Sequence, residues 1–140
     1  MTKQNNLKPL AVTFAASGIW DATAGVLYLF FIGTDRLIDD PPVHSFYSIF
    51  LASFFFCFAY LQILSSFNIR RYVMIVGSLI IGRVFYVIQL YGYMLIYKDF
   101  PATFWFTGII DTAFVVLYFT FAFRGGLGMK DLFLPFRKNT

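Results

Sequence analysis

The stretch from Tyr72 to Tyr97, YVMIVGSLIIGRVFYVIQLYGYMLIY, decides the fold, and it holds a single charged residue, Arg83, near its middle. It is longer than the roughly 20 residues an α-helix needs to cross the hydrocarbon core of a bilayer. An arginine at the centre of such a helix costs about 2.5 to 3.5 kcal/mol on insertion scales, so it requires an answering charge inside the protein. Two further apolar stretches supply candidates: Asp21 interrupts Leu10 to Ile32, and Asp111 interrupts Ala102 to Phe123. A fourth stretch, Val43 to Ser65, contains no Asp, Lys or Arg.

Composition supports the same reading. Of 140 residues, 59% are hydrophobic and 13% charged, and the mean hydropathy is +0.72. These values lie outside the range of soluble domains. The spans at about 10–32, 43–65, 72–97 and 102–123 use most of the chain. A single all-α membrane domain is therefore predicted. Short loops make successive spans antiparallel neighbours, which gives an up-down four-helix bundle. The apolar run after Lys3 and Lys8 continues past the length of a signal-peptide core, and Asp21 leaves no convincing cleavage site, so it is read as a retained first span.

The basic residues set an expected orientation. Lys3 and Lys8 precede the first span, Arg70 and Arg71 fill the second loop, and Arg124, Lys130, Arg137 and Lys138 follow the fourth. The other side holds Arg36 and Lys98 beside Asp35, Asp39, Asp40 and Asp99. The positive-inside rule then predicts both termini in the cytoplasm. The net charge of +4 is explained by this asymmetry, and no nucleic-acid partner is expected.

Punctuation marks the span ends. Asp40-Pro41-Pro42 and Asp99 with Pro101 suit helix starts, and Gly33-Thr34 and the Gly125, Gly126, Gly128 cluster suit helix ends. Residues 125–140 read as a short interfacial tail on the cytoplasmic leaflet, because basic and bulky apolar residues alternate from Met129 to Lys138.

Cys57 is the only cysteine, His44 the only histidine, and there is no glutamate, so neither a metal site nor a cofactor is expected. Cys57 reads as packing and His44 as an interfacial residue. No catalytic motif with workable spacing occurs.

The remaining candidate chemistry is the charged set. Asp21 lies about eleven residues into its span, Asp111 about nine from the opposite side, and Arg83 is similarly deep; a rise of about 1.5 Å per residue brings all three to one level. One arginine facing two acids leaves one negative charge in excess, which a proton or small cation can balance. Asp21 is the expected holder of that proton, because span 4 is the surer neighbour of Arg83. Glycine precedes each aspartate by three positions and tyrosine follows by seven, so Tyr28 and Tyr118 are candidates to extend a polar path. Ordinary packing is the plainer account of both. Gln62 and Gln89 are further candidates, with helix-to-helix bonding as the plainer role.

Gly18-Ile19-Trp20-Asp21 with Gly25, the Arg70-Arg71 loop, Gly82-Arg83, and Pro101 followed by Asp111 resemble small, uncharacterised bacterial four-helix membrane proteins of broadly DoxX-like type. That resemblance implies the four-helix fold and a bacterial inner (cell) membrane location, but no established activity.

Three functions fit the sequence. The first is a proton- or cation-linked transport or channel module using the Asp21, Arg83 and Asp111 site, acting as a homo-oligomer. The second is an accessory subunit of a larger membrane complex, and the third is a protein that binds or modifies a lipid or sterol. Membrane lipids are the expected surroundings in each case.

Overall fold

The computed structural model describes residues 5–31, 45–97 and 103–134. Four long helices are packed as a bundle: α1 (Lys8–Phe30), α2 (Ser45–Phe67), α3 (Val73–Ile96) and α4 (Thr103–Arg124). Each is long and apolar enough to cross a membrane. The chain is thus a four-span integral membrane protein. A fifth, short helix α5 (Met129–Phe133) follows, and a 3-10 turn (Asn5–Leu7) precedes α1.

Local chemistry accounts for the observed ends. Pro9 occupies the first turn of α1, where its missing N–H is not needed, and Thr13 donates from Oγ1 to the Pro9 carbonyl at 2.9 Å. Helix α4 ends at Arg124 because Gly126 takes a φ of +78°, which favours glycine, and the Gly126 and Leu127 amides turn back onto Phe123 and Ala122. His44, the Asp40-Pro41-Pro42 and Asp99-Pro101 helix starts, and Gly33-Thr34 lie outside the described residues. Helix α2 ends about two residues later than the sequence pattern indicates.

The helices do not end flush. Gly18 of α1 packs against the Ala59 carbonyl and Ile63 of α2, closely enough that a Cβ on Gly18 would meet Ile63 at 2.8 Å. This register carries the start of α1 about one turn beyond the end of α2. The projecting turn, the 3-10 turn, the loop after α2 and α5 meet at one end of the bundle, here called the terminal end. Leu7, Leu10, Phe14, Ile69, Val76, Ile80, Ala122, Leu127 and Leu132 form the core there. Lys8, Arg70, Arg71, Arg124 and Lys130 border that end.

The sequence pattern reads the chain after Gly125 as an interfacial tail. Its first part is an integral piece of the core: Leu132 is buried, and its carbonyl would lie 2.0 Å from a Cβ built on Gly77 of α3. Only a residue without a side chain permits this backbone approach. The Gly128 amide donates to Asp131 Oδ2 at 3.0 Å and fixes the start of α5.

Packing is uneven around the bundle. Helices α1 and α2 share the most extensive contact, whereas α2 and α3 touch sparingly. Hydrocarbon offers apolar side chains no hydrophobic penalty, so such a gap is set by van der Waals fit and polar contacts.

Candidate functional site

All four spans contribute one polar side chain to the same level of the bundle. Arg83 of α3 donates from Nη2 to Asp21 Oδ2 of α1 at 2.6 Å and from Nη1 to Asp111 Oδ1 of α4. Gln62 of α2 donates from Nε2 to the same Asp21 Oδ2. The three charged side chains are 6 to 8% exposed and Gln62 is 3% exposed. Such a set is stable in a low-dielectric interior only when every charge has close partners.

Arg83 is held from a further direction. Its guanidinium carbon lies 5.3 Å from the centre of the Phe114 ring, a cation-to-ring contact that fits the planar group. Phe114 stacks on Tyr118 at 6.1 Å, and Tyr118 packs on Phe14 at 4.5 Å, so a column of rings on the terminal side supports the arginine. Gly108 lets α4 approach Leu90 and Tyr91 of α3, which sets the spacing across which Arg83 and Asp111 meet.

The sequence expectation that Asp21, Arg83 and Asp111 meet inside the bundle agrees with this geometry. Arg83 bridges both acids, as one arginine facing two aspartates requires. Asp21, the anticipated proton holder, accepts from two side-chain donors, whereas Asp111 accepts from Arg83 alone among the described residues. By donor count Asp21 is the better served as an anion.

The accessory candidates separate. Gln62 belongs to the cluster. Its Nε2 must face the acceptor-only carboxylate, which turns Oε1 elsewhere, and Oε1 is buried without a hydrogen-bond partner. Gln89 sits on an exposed face of α3. Tyr118 is buried beside the cluster, with Ser17 and Arg83 in electrostatic reach of its hydroxyl. Tyr28 stacks on Phe55 at 5.4 Å, well along α1 from Asp21, and takes no part in the cluster. The matching sequence positions of Tyr28 and Tyr118 therefore correspond to different surroundings.

The gap between α2 and α3 forms a cavity of about 310 Å³ that ends on the cluster. Asp21, Gln62, Arg83 and Asp111 make its polar end; Phe50, Phe54 and Phe58 of α2 and Tyr86 of α3 line its walls. From Phe50 to Gln62 the wall runs about 18 Å along α2. Gly82 also lines the cavity, and a Cβ there would meet nothing within 4 Å. The mouth is wide, since Phe50 and Phe54 each remain 48% exposed. Beyond the cluster the terminal-end core closes the bundle.

No protein-family model, curated protein or solved structure matches the chain. The DoxX-like resemblance accordingly contributes no family assignment, and what is established is a small four-span membrane protein with a buried Asp21, Arg83 and Asp111 cluster.

Proposed function

We propose that this protein binds a membrane-soluble small molecule between α2 and α3, with the apolar body along the aromatic wall and a hydrogen-bond-donating, cationic end at the cluster. The observation that carries this reading is the cavity itself, an apolar, aromatic-walled space with one polar end. Its volume is at the lower limit of roughly 300 to 1,000 Å³ typical of small-molecule sites. One feature favours a donor of positive charge: two carboxylates share one guanidinium. Of the functions open from the sequence, this is closest to lipid or sterol binding.

Matched probes test it. Phenylbutylamine, phenylbutanol and phenylbutyrate share an apolar body and differ in the polar end. The amine should raise the unfolding temperature of the detergent-solubilised protein saturably and more than the alcohol, and the acid should do least. Gly82→Leu, which fills open space in the cavity, should remove the effect. If none of the probes stabilises the protein, or if stabilisation survives Gly82→Leu unchanged, the cavity is not a ligand site.

A second reading is proton- or cation-linked transport by an oligomer, favoured by the excess negative charge at mid-bundle. It places the terminal end in the cytoplasm, by the clustering of Lys8, Arg70, Arg71, Arg124 and Lys130 there. Proteoliposome flux with and without a pH gradient tests it; folded Asp21→Asn and Asp111→Asn proteins that match wild type would defeat it.

A further inference from the structure

Three buried hydroxyls lie on the terminal side of the cluster, and none has a hydrogen-bond partner among the described residues: Ser17 Oγ, Ser65 Oγ and Tyr118 OH. Ser17 and Ser65 are fully buried and Tyr118 is 1% exposed. They come from three different helices at related heights. Ser17 is one turn before Asp21 on α1, Ser65 almost one turn after Gln62 on α2, and Tyr118 two turns after Asp111 on α4. Since side chains tilt toward the start of their helix, the Tyr118 ring reaches back along α4 toward the cluster. Ser17, Arg83 and Asp21 are its polar neighbours, none of them within an ordinary hydrogen bond of its hydroxyl.

A hydroxyl in an apolar interior is costly to bury without a hydrogen-bond partner. Three of them beside an ion cluster make a polar layer that packing alone does not explain, because the column of Phe14, Tyr118 and Phe114 would pack equally well with phenylalanine in the middle. Buried water commonly makes about three hydrogen bonds, and a polar layer of this composition offers them.

We infer that Ser17, Ser65 and Tyr118 hold ordered water beneath the cluster and form with it a hydrogen-bonded path that carries protons to and from Asp21 and Asp111. Each oxygen on the path accepts a proton from one neighbour as it releases one to the next, so the relay carries charge without any hydroxyl ionising for long. The cluster then has the cavity between α2 and α3 on one side and the hydroxyl layer on the other. This inference goes beyond the small-molecule reading and does not depend on it.

Radiolytic hydroxyl labelling of the wild-type protein in lipid nanodiscs, read by mass spectrometry, tests the water directly. Tyr72, in the loop at the terminal end, is the wet reference, and Tyr60, on the outer face of α2, is the lipid-facing reference. Tyr118 should be modified at a rate close to that of Tyr72 and at least about tenfold above that of Tyr60, despite its burial. Modification no faster than that of Tyr60 would mean a dry layer and would overturn the inference. The path has a second readout. In D2O, the slowly exchanging arginine infrared component that is lost in Arg83→Lys should exchange several-fold more slowly in a Ser17→Ala, Tyr118→Phe protein. Exchange at the wild-type rate in that protein would refute the relay, while leaving the small-molecule reading to its own probes.

Discussion

Replacing Arg83 with alanine strands two carboxylates, and the structure indicates how unequally. Asp21 retains the Gln62 amide; Asp111 loses its only side-chain donor among the described residues. Breaking one buried ion pair by removing a partner costs about 3 to 5 kcal/mol. Here one guanidinium serves two acids, so Arg83→Ala should fall near the upper value, about 5 kcal/mol, or between three and four orders of magnitude in the unfolding equilibrium. Adding Asp111→Asn removes the worse-served anion and should restore about 2 kcal/mol or more, a coupling within the range for contacting residues. Adding Asp21→Asn instead should restore less. Unfolding in mixed micelles can be followed through Trp20, which packs edge-on to Phe106, and Trp105, which packs on Tyr91. The reasoning fails if Arg83→Ala costs under about 1 kcal/mol, the scale of an exposed pair, or if the double substitutions are additive. It also fails if Asp21→Asn is the better rescue.

Gly77→Ala should detach α5, because the new methyl group would collide with the Leu132 backbone; limited proteolysis after Arg124 and the loss of about 2 kcal/mol from exposing Leu132 would report it. Gly82→Ala, by contrast, should change stability by no more than about 1 kcal/mol and favour the helix, as the methyl group enters open space. Gln62→Leu should destabilise by about 1 to 3 kcal/mol through the lost bond to Asp21, whereas Gln89→Leu should stay within about 0.5 kcal/mol because Gln89 touches nothing in the cluster. Denaturant unfolding measures both, and similar values would break the distinction between them.

How far the sequence reaches is clear from particular residues. Asp21, Arg83 and Asp111 were legible because a charge in hydrocarbon has so few acceptable surroundings that counting depth is almost enough to bring three of them together. Gln62 was harder to rank. An amide has many acceptable partners in a membrane, and spans taken as flush put Gln62 nearer the bundle end than Asp21. The packing of Gly18 against Ala59 and Ile63 shifts α1 along α2 by about one turn and removes roughly half of that distance, leaving a gap the two side chains span. A sequence signal for this shift exists in retrospect: Gly18 is where α1 can approach α2 most closely. Helix α5 was hidden for a different reason. Alternating basic and apolar residues suit a bilayer surface as well as a protein groove, and only the bare backbone at Gly77 distinguishes the two. The gap between α2 and α3 has no sequence signature, because the phenylalanines that line it read equally well as lipid-facing bulk.

The bond from Gln62 to Asp21 also has a meaning in time. Chains are made from the N-terminus, so α1 and α2 are available to each other before α3 has been synthesised. They form the most extensively packed pair in the molecule, and within that pair Gln62 already offers Asp21 a donor. The acid therefore need not wait uncovered for Arg83. When α3 enters, its arginine meets a partly solvated anion held in place, and the helical hairpin acts as a receptor for the third span. Asp111 arrives last and closes the set, which makes the order of the spans along the chain an order of charge neutralisation.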